Sequence, residues 1–316
     1  MSQINVDIVA PQSGTVVDVN GVDISSPNIK DTIVGENAGV SITVGQQNTV
    51  FGFEAMNKAE DSSYNVSLGQ ETLHEAIDSN VSSNVAVGIG SLYYLTNGKF
   101  NVAVGVAAND QLTTGNNNVS IGDSAGNLTT AGNKNVYVGS RAGRQLSSGD
   151  DNIFIGAGAG ANFSSPYTWQ TTGNNNILIG TDSKPSTSSA SNAITLGNVS
   201  HTVIRAAVTS ITSLSDARDK DEIKDLSAGL DFINEIKPVS FIWKDRDENG
   251  KQGIKDSGFT AQNLKEVQEK YNLSEELKLV YEENPEKLEA SYGRLIPVLV
   301  KAIQELSAEV KQLKNK

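Results

Sequence analysis

The first two thirds of this 316-residue chain offer few side chains able to do chemistry. There is no cysteine, which removes thiolate nucleophiles, thiolate metal sites and disulfides together. The only histidines, His74 and His201, lie far apart. His74 has Glu71 and Asp78 at helical spacing, which predicts a solvated helix face, and with no second histidine nearby no metal site is expected. Gly156-Ala-Gly158-Ala-Gly160-Ala161 nominally fits a dinucleotide fingerprint, but the following Asn162-Phe-Ser-Ser-Pro166 cannot open the long helix that motif needs. No cofactor is expected. Residues 1–215 hold 16 acidic side chains, too sparse a set for the paired carboxylates of a glycosidase.

The elements that would position any site fall into two kinds of material. Residues 1–215 carry 24 charged side chains and 24 glycines, whereas residues 216–316 carry 38 charges and 5 glycines. The whole chain has net charge −12, which lacks the electrostatic footprint of a nucleic-acid binder or a polybasic membrane anchor. No apolar run approaches the ~18 residues of a membrane helix, and Met1-Ser2-Gln3-Ile4-Asn5 carries no basic-then-apolar signal. The expectation is a chain made in a cytoplasm.

The first part is a repeat. Asn-apolar-x-apolar-Gly recurs at Asn65–Gly69, Asn84–Gly88, Asn101–Gly105, Asn118–Gly122, Asn135–Gly139, Asn152–Gly156 and Asn176–Gly180, with looser copies at Asn48–Gly52 and Asn192–Gly197. From Asn84 to Asn152 the asparagines are 17 apart, a period that marks a solenoid or stacked array. Each unit offers one three-residue strand whose first and third side chains share a face, as Val85 and Val87 do. That face and an occasional leucine (Leu112, Leu128, Leu146) are too little to enclose a core in one chain. The expectation is a threefold β-prism or β-helix with identical strands from two other chains, the alternative being a monomeric solenoid. The repeated asparagine is expected to bond the turn or to stack as a ladder. The repeat resembles the head repeats of trimeric adhesins and the shafts of phage tail fibres.

The interval from Asn152 to Asn176 is 24 residues, and its insertion carries Phe163, Tyr167 and Trp169. Insertions in repeat arrays map to outside loops, and exposed aromatics suit sugar stacking or a partner, so these three are candidate receptor contacts, the alternative being rings packed on the rod. Tyr93-Tyr94 is a weaker case.

The C-terminal part carries a series of motifs: Ser213-Leu-Ser215-Asp216-Ala-Arg218-Asp-Lys220, Ile236-Lys-Pro-Val-Ser-Phe-Ile-Trp243, Gly258-Phe-Thr-Ala-Gln262, and a closing apolar segment from Tyr292 to Leu306. In this order they resemble the intramolecular chaperone domain of phage endosialidases, also classed as the self-cleaving S74 peptidases. That resemblance implies a domain that trimerises, registers three chains so that the β-rod assembles, and then cuts itself off. It implies Ser215 as nucleophile and Lys220 as base, with a scissile bond near Ser215–Asp216 and Arg218 as possible support. The lysine amine must be neutral to act, which requires desolvation or a neighbouring cation. Serine attack on its own carbonyl would form a four-membered ring, while attack on the preceding carbonyl would cut Leu214–Ser215, and both bonds stay open. Ile296, Leu299, Ile303, Leu306, Val310 and Leu313 alternate at steps of 3 and 4 as heptads, whose β-branched a positions lean towards dimers in isolation, or they pack on their own domain.

The resulting expectation is a mainly β N-terminal part followed by an α+β chaperone domain ending in a long helix. Its divisions are an attachment segment at 1–40, a repetitive trimeric rod at 41–200, a neck at 201–215 and the chaperone at 216–316. Such a protein would be a homotrimeric tail fibre of a virion, assembled in a host cytoplasm. It would be joined to a baseplate or another tail protein, and would touch a host surface glycan or protein. The alternative is a structural or adhesive trimer whose last domain assembles without cutting.

Overall fold

The computed structural model describes residues 15–19, 22–26, 31–161, 172–201, 203–207, 211–244 and 251–316. It divides into two compact units, residues 1–198 and 199–316.

The first unit opens with an antiparallel hairpin, β1 (Thr15–Val19) and β2 (Val22–Ser26), and β2 also pairs antiparallel with β3 (Thr32–Val34). From there one three-residue strand per coil stacks parallel on the last, in register, through β12 (Ile194–Leu196). This is a β-solenoid, as the period predicts. Its first coil, at Asp31-Thr-Ile-Val-Gly35, has aspartate in the place of the repeated asparagine, and its last, before β12, has Ala193 there.

The asparagine is a ladder. Asn118 donates through its backbone N–H (3.0 Å) and Nδ2 (3.1 Å) to Asn101 Oδ1, and its Nδ2 also donates to the Gly132 carbonyl at 2.7 Å. Asn118 Oδ1 in turn accepts from Asn135. The same three bonds repeat at Asn48, Asn65, Asn84, Asn101, Asn135, Asn152 and Asn176. A buried amide costs free energy unless bonded, and here every hydrogen of the amide is used. The ladder runs unbroken across the long interval between Asn152 and Asn176. The glycine closing each strand brings neighbouring coils together: a Cβ at Gly105 (φ +139°) would stand 2.3 Å from the Gly122 carbonyl oxygen.

The interior is closed within one chain, which corrects the expectation that three chains are needed to enclose it. The middle residue of each strand points inward (Val50, Ser67, Ala86, Ala103, Ser120, Tyr137, Phe154, Leu178), joined by small residues such as Ala55, Ala108, Ala125 and Ala142 and by Leu95, Leu112 and Leu146. The first and third strand residues face out, so Val85 and Val87 are not core, and Leu128 is also outside. A coil this narrow admits one inward side chain per strand, and the ladder asparagine and the turn alanines supply the remainder.

The second unit is α+β. Helix α1 (Leu230–Glu235) packs on the long α4 (Ile296–Lys314), and Glu305 of α4 accepts the Leu230 N–H at 2.7 Å. A hairpin joins β13 (Val239–Ile242) to β14 (Lys255–Gly258), and α2 (Ala261–Lys270) and α3 (Ser274–Leu277) precede a short pair, β15 (Val280–Tyr281) and β16 (Glu289–Ala290). The core gathers Ala228, Phe232, Leu264, Leu279, Leu295 and Val298. Pro297 sits in the first turn of α4, where its missing N–H costs nothing. Among the described residues no helix is long and apolar enough to cross a membrane.

Candidate functional site

The segment before α1 is held by local bonds. Asp216 caps a 3-10 turn at Ala217–Asp219 by accepting the Arg218 N–H at 2.9 Å, and the Lys220 N–H returns to the Ala217 carbonyl at 3.2 Å. This turn folds the five-residue separation back on itself. Lys220 Nζ then lies 2.7 Å from Ser215 Oγ and 3.4 Å from the Ser215 carbonyl oxygen. One amine therefore reaches both the hydroxyl and the carbonyl of the Ser215–Asp216 peptide.

Arg218 goes elsewhere. Its Nε is 3.1 Å from both Asp216 carboxylate oxygens, so the guanidinium stands on Asp216. Those hydrogen bonds hold the Asp216 carboxyl below its ordinary range. Ser215, Asp216, Arg218 and Lys220 are all exposed, and Leu214 beside them is fully exposed. In the single chain the Lys220 amine and the Ser215 hydroxyl thus meet at an open surface.

The other motifs of this unit build its frame. Thr260 caps α2, accepting the Asn263 N–H at 3.3 Å. Phe259 meets Tyr292 edge-on at 5.2 Å, and the Tyr292 hydroxyl accepts from the Phe259 N–H and donates to its carbonyl. Trp243, next after β13, donates Nε1–H to Asp256 at 3.2 Å and lies edge-on to Phe241.

Residues 215–273 match the family model Peptidase S74, chaperone of endosialidase. The match to the S74 domain begins at Ser215, the residue that Lys220 contacts. A β-solenoid followed by an S74 chaperone fits a tail fibre with a C-terminal chaperone domain. The chain matched no curated protein and no solved structure.

The remaining sequence candidates are placed as follows. His74 is not on a helix: it sits in a solenoid turn, nearly buried, stacked on Tyr93 at 4.8 Å and with Nδ1 3.1 Å from Glu75. Left-handed backbone at Glu71 and Leu73 breaks the helical spacing, and the carboxylates beside His74 are Glu75 and, at 3.8 Å, Glu54. His201 is exposed near the start of the second unit. Gly156 closes β10 (Ile153–Ile155), and Gly160 lies against the Phe154 ring, so this glycine run follows the coil. Phe163, Tyr167 and Trp169 lie outside the described residues. Sequence reasoning missed a different pair of exposed aromatics, Tyr64 and Phe100, which occupy the coil position just before the ladder asparagine; their equivalence to Asn117, Lys134 and Asp151 was available from the period.

Proposed function

We propose that this chain is a phage tail-fibre or tail-tip protein. Its S74 domain assembles three copies, registers their solenoids, and then cuts near Ser215–Asp216 to release residues 216–316. The observation that carries the reading is the Lys220 amine poised on Ser215 Oγ and on the carbonyl of the bond to be cut. Neutral lysine takes the proton as an oxygen nucleophile attacks, and returns it to the leaving Asp216 nitrogen; attack by water leaves a carboxylate on Ser215 directly, whereas attack by a hydroxyl of another copy leaves an ester that water then hydrolyses to that carboxylate. Ring strain bars Ser215 Oγ from its own carbonyl, so cutting this bond draws the attacking oxygen from water or from another copy, whereas attack on Leu214 would cut one bond earlier. The exposed segment supports an order of events, since assembly supplies the burial that a neutral lysine needs.

Trimerisation is supported by two apolar surfaces that one chain leaves uncovered. The outward strand residues form a stripe along the solenoid, from Phe51 through Val85, Val87 and Val104 to Ile121 and Ile179. On α4, Val298 and Ala302 face the unit's own core, while the heptad residues Ile296, Leu299, Ile303, Leu306, Val310 and Leu313 are all exposed. Contiguous apolar surface of this kind marks an association site.

The other ends of the reading are a baseplate or tail protein as attachment partner, a host surface glycan or protein as target, and a virion as location. The competing reading, an assembly domain that never cuts, draws on the open surroundings of Ser215. Intact mass of wild type beside Ser215→Ala and Lys220→Ala decides between them. A wild-type product ending at Ser215 or Leu214, absent from both variants, is expected; a folded trimer retaining Lys316 would favour the non-cutting assembly domain.

A further inference from the structure

The last two residues of each coil, before the ladder asparagine, build a second column. The outer residue is left-handed at Gln47, Tyr64, Ser83, Phe100, Asn117 and Lys134, with φ between +54° and +64°, and again at Asp151, Asn175 and Asn192. Asparagine and aspartate tolerate that conformation and bulky residues avoid it. Tyr64 and Phe100 stand there nonetheless, each 57 % exposed. Neither ring is buried and neither suits the backbone, so the fold alone does not account for them; strain kept at an exposed position points to a role in function.

The inner residue of the pair forms its own ladder. The Lys99 N–H donates to Asn116 Oδ1 at 2.9 Å, Asn116 donates to Asn133 Oδ1 at 3.0 and 3.2 Å, and Asn133 donates to Asp150 Oδ1 at 2.7 and 3.1 Å. Against this fixed row lies an open groove of about 450 Å³, with Phe100 at one end and Asp151 at the other. Lys134 stands 4.0 Å from Asp151, and the side chains of Lys99 and Asn117 have no hydrogen-bond or ion-pair partner among the described residues. Four coils at about 4.8 Å spacing make the row about 14 Å long.

From these features we infer that the groove from Phe100 to Asp151 binds a neutral oligosaccharide. The exposed ring offers a flat apolar face for the C–H side of a sugar ring, and fixed amides, carboxylates and ammoniums offer paired donors and acceptors for its hydroxyls. Two lysines and two aspartates balance, which favours an uncharged sugar over an acidic one. A row held by its own hydrogen bonds before ligand arrives spends little ordering entropy on binding. The inference deepens the host-contact part of the proposed function and rests on it.

The test applies the full-length chain, as assembled, to an array of neutral and of sialylated or uronic-acid oligosaccharides, with Phe100→Asn and Tyr64→Asn beside wild type. Asparagine suits the left-handed backbone, so neither variant should fold less well. Wild type is expected to bind a neutral member, and Phe100→Asn to weaken it at least tenfold, with thermal midpoint and assembled mass held. Equal binding by Phe100→Asn would overturn the groove while leaving host contact elsewhere on the solenoid. Preference for acidic members, or no binding of any member, overturns it too. So does loss of assembled mass in Phe100→Asn, which would make the ring a contact between copies. Cleavage and assembly are read separately by intact mass, so failure of the groove and failure of the chaperone reading are distinct results.

Discussion

Gly143 lies against the face of Tyr137, and a Cβ at Gly143 would stand 2.3 Å from the ring's Cδ1. The two residues are six apart in one coil, and the same pairing holds between Gly160 and Phe154 and between Gly39 and Ile33. In two coils with a small strand residue the partner is large: Ala86 with Leu92 and Ser67 with Leu73, all buried. Ser120 and Gly126 are both small, and there the Tyr137 ring of the next coil lies against Gly126. Interior volume is thus shared between these two positions and the neighbouring coil, as close packing demands.

Gly143→Ala is therefore expected to destabilise the solenoid by about 2–4 kcal/mol, combining overpacking with a left-handed alanine. The double variant Tyr137→Ala, Gly143→Leu copies the Ala86–Leu92 arrangement and should regain most of that loss. Denaturant midpoints of the three proteins decide it, and a double variant no better than Gly143→Ala would refute volume exchange.

Adjacent strand residues should separate folding from association. Ala103 is fully buried and Val104 faces outward. Ala103→Asp buries an unpaired charge at a cost of several kcal/mol and should abolish the strand signal in circular dichroism. Val104→Asp should keep that signal while lowering the assembled mass in sedimentation; unchanged mass would remove the stripe from the interface.

Lys220→Arg keeps the positive charge and the reach but cannot give up its proton near neutral pH. Full-length mass in an assembled trimer is the expected result. A cleaved product would show that the side chain at 220 acts by charge alone.

Glu235 accepts hydrogen bonds from Lys270 and from the Tyr271 hydroxyl, which hold its carboxyl below the usual range, and the same contact raises Lys270. The carboxylate's contribution is present above its unfolded value of about 4.3 and is lost as pH falls through the lower folded value. The lysine's is present below about 10.4 and is lost as pH rises through its raised folded value. Glu235→Gln should lower hydrogen-exchange protection of α1 and α2 at neutral pH and flatten its acid decline. An acid limb as steep as wild type would place the linkage on other carboxylates.

The coil period, the asparagine ladder and the order of chaperone motifs were all legible in the residues, because each recurs or coincides with others. Which strand face turns inward was not. Val85 and Val87 are the larger apolar members of their strand, and burial by hydrophobicity alone selects them; the narrow coil instead takes Ala86 and leaves the valines half-buried on its outside. The turn core was hidden for another reason, since Leu73 and Leu92 enter it through left-handed backbone that no helix or strand periodicity describes. Ser215 and Lys220 gain meaning only beside the other chaperone motifs, because a serine and a lysine five apart in a charged segment are unremarkable until a capped turn folds one onto the other.

The two ends of the asparagine ladder are chemically unlike its middle. Asp31 accepts from Asn48 at the first rung, and at the last Ala193 donates its N–H to Asn176 and has no amide to hand on. Among the described residues, polarity therefore flows one way through the column, from the Ala193 N–H to the Asp31 carboxylate. Whole 17-residue coils inserted between those ends would extend it without altering either, whereas a coil appended after Ala193 would find no acceptor. Length in this protein is a quantity that can grow only from within.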